Sequence, residues 1–116
     1  MKGCPFCEIS AGRAPATVVR SWDDALAIIP LDPVVDGHVL IIPRAHVTDF
    51  ADNPDVAAAA MRRAADLAGE SEMAVNLITS RGRAATQSVF HLHLHLVPRA
   101  ENDGLALPWY SGRTKP

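Results

Sequence analysis

Residues 91–97 read His91-Leu92-His93-Leu94-His95-Leu96-Val97, three histidines alternating strictly with aliphatic side chains. Period-two alternation marks a half-buried strand, so the imidazoles are expected on one face, with Phe90, Leu92, Leu94 and Leu96 on the other. At a rise of about 3.3 Å per residue, neighbouring imidazoles on that face start roughly 6.6 Å apart. A strand anchored in a core on one side and presenting three imidazoles on the other points to a metal site or a catalytic one.

On either side of this stretch the chain alternates short apolar runs with turn signals. Pro5 to about Ala11 reads as a short helix stopped by Gly12, and Thr17–Trp22 and Ala25–Ile29 as a hairpin around Asp23-Asp24. Pro30–Gly37 is a loop closed by Asp36-Gly37, and His38–Ile42 is a largely buried strand ended by Pro43. Asn53-Pro54-Asp55 combines an N-cap, a proline at the first helical position and an acid in the first turn, so a helix runs through Val56–Ala68 to Gly69. Met73–Thr79 is a further strand, Ser80–Thr86 a loop, and Ser88–Val97 the histidine strand; the tail from about residue 99 is partly extended. The pattern predicts one α+β domain over 1–116, an antiparallel sheet of about five strands with one long helix and a short N-terminal helix. One long helix covers only one side of such a sheet, so a homodimer is expected to bury what remains.

Composition narrows the function. A length of 116 residues suits a single domain, and 48% hydrophobic with 21% charged residues is globular. The net charge of −2 and scattered arginines argue against nucleic acid as a partner. No apolar run reaches the ~20 residues of a membrane span. The start, Met1-Lys2-Gly3, lacks the apolar stretch of a signal peptide, which makes the cytoplasm the expected location.

The residues able to carry chemistry are five histidines, at 38, 46, 91, 93 and 95, and the pair Cys4-x-x-Cys7. In a reducing compartment that pair reads as half a zinc site, since a redox motif of this spacing follows a strand and none is predicted before Cys4. A closed zinc site wants four Cys and His ligands, so two of the histidines would complete it. Spacing alone does not say which two. A third arrangement stays open as well, in which the triad is itself a second metal site.

Three segments together resemble the histidine triad (HIT) family. They are Gln87-Ser88-Val89-Phe90-His91-Leu92-His93-Leu94-His95-Leu96-Val97-Pro98-Arg99, Asp36-Gly37-His38-Val39-Leu40-Ile41-Ile42-Pro43-Arg44-Ala45-His46, and Cys4-Pro5-Phe6-Cys7 with Ala11–Ala16 after it. The resemblance implies a HIT-like homodimer that hydrolyses or transfers a nucleotide through a covalent nucleotidyl-histidine. The substrate would be a nucleoside phosphoramidate or a dinucleoside polyphosphate. By the family pattern His93 is the nucleophile, its tautomer fixed by the first triad histidine's carbonyl. His95 serves the leaving group and His38 supports from behind, while Gln87 and Ser88 hydrogen-bond phosphate oxygens. The same resemblance implies a structural zinc on Cys4, Cys7, His46 and His91.

The chain departs from the family pattern in two places. The acid or amide that holds the ribose, expected eight residues before His38, is replaced by Pro30, with Asp32 nearby as a stand-in. The Asn-x-Gly and Gly-Gln of the loop before the triad are here Ser80-Arg81-Gly82 and Thr86-Gln87, so Ser80 keeps a polar group but not an amide. Arg81 and Arg83 add positive charge that suits either a polyphosphate or water. These departures keep two further readings alive, a nucleotide-binding module with little or no turnover and a metal-binding scaffold.

Overall fold

The computed structural model describes residues 3–114. Met1 and Lys2, weighed above for a leader segment, and the last two residues of the tail lie outside it. In chain order the elements are α1 (Pro5–Ser10), β1 (Thr17–Ser21), β2 (Ala25–Ile29), β3 (Val39–Pro43), α2 (Pro54–Ala68), β4 (Val75–Ile78), a 3-10 turn (Arg83–Ala85) and β5 (Leu94–Pro98). The strands form one antiparallel sheet in the order β1-β2-β3-β5-β4. Among the described residues no helix is long and apolar enough to cross a membrane.

The long helix forms where its cap predicts. The Asn53 side chain accepts from the backbone N–H of Asp55 (3.0 Å) and Val56 (3.4 Å), satisfying donors that the first turn of α2 leaves unpaired. Gly69 ends α2 with φ −68°, so this stop uses no left-handed residue. Gly37 does need one: its φ is +87°, and a Cβ there would lie 3.1 Å from the Pro98 ring.

The sheet is covered on both sides, which the two alternating patterns of β2 and β3 make possible. Ala27, Ile41, Leu92, Leu94 and Leu96 face α2, whose buried Ala60 and Ala64 let the helix approach closely. Leu26, Ile28, Leu40 and Ile42 pack against Cys4, Phe6 and Cys7 at the start of α1. The second face is therefore partly roofed by the short helix rather than left open. The Arg44 guanidinium holds that roof, donating to the Trp22 carbonyl (2.9 Å), the Ser10 carbonyl (3.3 Å) and the Ser21 hydroxyl (2.9 Å).

Two expectations change. The histidine strand, read as Ser88–Val97, is regular only over Leu94–Pro98. Pairing with β3 stops at Ile41↔Leu94 because the next groups on β3 are otherwise engaged. Pro43 has no N–H to give, and its carbonyl accepts from His91 Nε2 (2.7 Å), while the Leu92 N–H turns to the Val47 carbonyl (2.8 Å). The tail, read as partly extended, folds back in turns. Arg99 anchors it through Asp103 (2.8 and 3.0 Å), the Asn76 side chain (2.6 Å) and the face of Tyr110 (5.8 Å).

Candidate active site and metal centre

The face roofed by α1 gathers both cysteines and all five histidines into one continuous band. His46 and His91 rings meet edge to face at 5.0 Å, and Phe6 sits edge-on to both His91 (5.8 Å) and His93 (5.0 Å). His93 lies 5.2 Å from His95, and His95 lies 5.3 Å from His38. The alternation of the triad places these rings together even where the backbone is no longer a regular strand.

One end of the band is a cage of four donors. Cys4 Sγ is 3.4 Å from His91 Nδ1, and Cys7 Sγ is 3.2 Å from His46 Nδ1 and 3.5 Å from His91 Nδ1. The two Nδ1 atoms are 3.1 Å apart, and all four donor atoms lie within 4.8 Å of one another. A tetrahedral zinc with bonds of 2.0–2.3 Å has ligand-to-ligand edges of roughly 3.3–3.8 Å, so this donor set fits such an ion. The histidines that join the cysteine pair are thus His46 and His91, a choice spacing alone left open. His91 Nε2–H points at the Pro43 carbonyl, which can only accept, and its unprotonated Nδ1 is turned into the cage. Burial pushes the His91 pKa down, favouring the neutral form a metal ligand needs. Burial, with the Cys4 thiol beside it, pushes Cys7 up; a bound cation would reverse that.

At the other end, three hydrogen bonds fix three tautomers. His93 Nδ1–H donates to the His91 carbonyl (2.8 Å), leaving the Nε2 lone pair free. The backbone N–H of Val34 donates to His38 Nδ1 (3.1 Å), so the His38 proton is on Nε2 and is given to His95 Nδ1 (3.0 Å). A neutral His95 therefore carries its single proton on Nε2. Its pKa is pushed down to about 4, first by burial and then by the neighbouring charges of His93 and His38. His38, buried beside it, is also lowered by desolvation. The arrangement sets a lone pair on His93 beside an N–H donor on His95. That pairing suits displacement at phosphorus, with one nitrogen attacking and the other facing the charge that leaves.

The remaining expected residues are less uniform. Gln87 is buried, and its amide belongs to the loop: Oε1 accepts from the Gly82 N–H (2.8 Å), and Nε2 donates to the carbonyls of Thr48 (2.7 Å) and Val89 (3.1 Å). Both amide hydrogens are engaged there, so Gln87 shapes the loop before the triad and, against the expectation, has no donor left for a phosphate oxygen in this arrangement. Ser88 is exposed and lines, with Gly3, Cys4, Pro5, His46, Val89 and Phe90, an open cleft of about 480 Å³ on the metal side. Ser80 is half-buried directly after Thr79, whose hydroxyl donates to the His93 carbonyl (2.8 Å). Asp32 is exposed in the loop that also supplies the Val34 N–H. Arg81 faces Asp49 at 3.8 Å with its side chain two-thirds exposed. The Val34 amide, Thr79 and the Phe6 edge had no signature in the sequence. The first is a backbone group, and the others are common residue types whose roles come from register.

Comparison with known proteins gives a consistent answer. The HIT domain family model matches residues 11–102. An uncharacterized HIT-like protein of Mycobacterium tuberculosis is 40% identical over 116 residues, covering 90% of this chain and 76% of its own. The adenosine 5'-monophosphoramidase of Saccharomyces cerevisiae is 33% identical over 114 residues, covering 96% and 72%. The crystal structure of a Zn-bound histidine triad family protein from Mycobacterium smegmatis superposes with a TM-score of 0.78 at 37% identity, covering 90% of this chain and 80% of that one. A family model spanning most of the sequence, close relatives and a shared fold agree with the triad and its cage, and the chain belongs to the HIT domain family.

Proposed function

We propose that the protein is a nucleotide hydrolase or transferase that cleaves at the α-phosphate of a nucleoside phosphoramidate or dinucleoside polyphosphate. The observation that carries this reading is the 2.8 Å bond from His93 Nδ1–H to the His91 carbonyl, which leaves Nε2 as an unprotonated nucleophile. His93 Nε2 attacks the α-phosphorus, a P–N bond forms, and the bond to the leaving amine or phosphate breaks. A bound phosphate's negative charge favours uptake of a second proton by His95, and the imidazolium so formed gives its Nε2 proton to the leaving group and returns to the neutral ring. Water then attacks the nucleotidyl-His93, releasing the nucleoside monophosphate and restoring the ring. The Ser88 and Ser80 hydroxyls bind phosphate oxygens, Gln87 holds their loop in place, and Asp32 reaches the ribose. The phosphoramidase activity named for the yeast relative supports the substrate class.

Zinc on Cys4, Cys7, His46 and His91 would cross-link α1 to the segments on either side of the sheet's centre, a structural role. The Zn-bound Mycobacterium smegmatis relative supports that choice of ion. The exposed apolar residues of the edge strand β4, Val75, Leu77 and Ile78, support a homodimer, which sedimentation at micromolar concentration tests.

A second reading, a nucleotide-binding module with little turnover, is favoured by Pro30 at the ribose position. Wild type and His93→Ala are incubated with adenosine phosphoramidate and with diadenosine polyphosphate, and the intact protein is weighed by mass spectrometry. The hydrolase reading expects an added adenylyl mass and AMP release in wild type, and neither in the variant. Binding without adduct or AMP from either nucleotide would leave the module reading standing instead.

A further inference from the structure

His93 stands one residue outside the sheet that is supposed to aim it. Its pairing partners run out on both flanks, at Ile41↔Leu94 on β3 and at Ile78↔His95 on β4. The ring's own bond, Nδ1–H to the His91 carbonyl, lies within the same three-residue segment, so it fixes the ring to that segment and not to the fold. Besides the cage contacts of His91, the edge of Phe6 and the core packing of Leu92, three hydrogen bonds tie residues 91–93 to their surroundings. His91 Nε2–H reaches the Pro43 carbonyl and the Leu92 N–H reaches the Val47 carbonyl, both on the β3 side. From the β4 side comes the Thr79 hydroxyl, 2.8 Å from the His93 carbonyl.

We propose that Thr79 is a positioning residue for the nucleophile: its hydroxyl takes over where the β4–β5 ladder stops and holds the His93 peptide against rotation. This rests on the reading of His93 as the nucleophile. Thr79 is the first residue beyond β4, so its backbone is already placed by the sheet while its half-buried side chain points along the ladder's continuation. The hydroxyl donates to a carbonyl that no ladder partner reaches. It also joins the nucleophile to the loop that begins at Ser80, so the His93 peptide and the phosphate-side loop share an anchor. In-line displacement is sensitive to aim, and a misplacement near 1 Å costs about 100-fold in rate.

The test compares wild type, Thr79→Val, which removes the hydroxyl at nearly constant shape, and Thr79→Ser, which keeps it. Single-turnover formation of the adenylyl adduct from adenosine phosphoramidate is followed by mass spectrometry, and ring-nitrogen NMR of labelled histidines is recorded on the same samples. The expected result is adduct formation slowed roughly 10- to 100-fold in Thr79→Val, KM within about 2-fold, and recovery in Thr79→Ser. The His93 ring signals move in Thr79→Val and return in Thr79→Ser, while those of His38 stay in place. A wild-type adduct rate with unmoved His93 signals in Thr79→Val overturns the proposal, as does an equal loss in Thr79→Ser. If Thr79→Val does not fold, Thr79→Cys, a weaker donor of similar size, takes its place, and an unimpaired rate there is equally fatal. Absence of any adduct in wild type overturns the functional reading instead, and the NMR comparison still decides whether Thr79 holds His93.

Discussion

Acid should loosen this fold through His95. Its ring nitrogen Nδ1 accepts from His38 in a half-buried position, and its pKa falls from 6.5 to about 4, chiefly by burial. A group whose folded pKa is depressed binds fewer protons folded than unfolded between those two values. Stability from a neutral His95 is therefore fully present above pH 6.5 and is lost as the pH falls toward 4. Converted at 1.36 kcal/mol for each tenfold change in proton affinity, the full loss is about 3 kcal/mol, a large part of the 5–15 kcal/mol typical of a domain. Protonation also puts a hydrogen on each of two nitrogens 3.0 Å apart, which breaks the His38–His95 pair. His38 is depressed by burial too and adds to the loss with the same sign. The assay is urea unfolding from pH 7.5 to 4.0 in wild type and in His95→Gln, whose amide oxygen can still accept from His38. Zinc ligands titrate identically in both proteins, so their difference isolates residue 95. The stability gap between the two should close by about 2–3 kcal/mol across that range. Parallel curves would refute the reasoning.

Three further outcomes are expected. Metal analysis should find about one zinc per chain, lost in Cys7→Ser, and chelation should lower the melting temperature by roughly 10 °C or more; an unchanged melting curve would show that the cage stabilises nothing. Gln87→Leu strips the buried partners of the Gly82 N–H and the Thr48 and Val89 carbonyls and should cost about 2–3 kcal/mol, seen as a lower urea midpoint at unchanged slope. Asn53→Ala removes the cap of α2 on the far side of the sheet and should cost about 1 kcal/mol while AMP release stays at the wild-type rate.

Much of this architecture was legible because periodicity and punctuation agreed. Asn53-Pro54 marks the start of α2, Asp36-Gly37 the turn before β3, and His91–Val97 puts every imidazole on one face and every leucine on the other. The limits of the histidine strand were not legible, since alternation shows which face a side chain takes but not whether the backbone has a partner. Pro43 and the His91–Pro43 bond withdraw that partner, and both act from elsewhere in the chain. The roof over the second face was hidden for a related reason. Six residues of α1 carry too few apolar positions to show a stripe, and Cys4 and Cys7 look like ligands before they look like core. The family resemblance makes Gln87 a phosphate donor, yet its amide is engaged by carbonyls that only the folded loop brings near.

His91 works with two parts of itself. Its side chain offers Nδ1 to the metal cage, while its backbone carbonyl holds the His93 ring. Substitution can remove only the first. Any residue placed at 91 brings its own carbonyl, so the hold on His93 is inherited by every variant that keeps the local backbone, and a change there removes the cage ligand and the Nε2–H bond to the Pro43 carbonyl while that hold stays. A His91→Cys protein, which replaces one ligand type by another, would thus separate the contribution of the side chain from that of the main chain at a single position. Half of what this residue does is written in the backbone and is shared by all twenty amino acids.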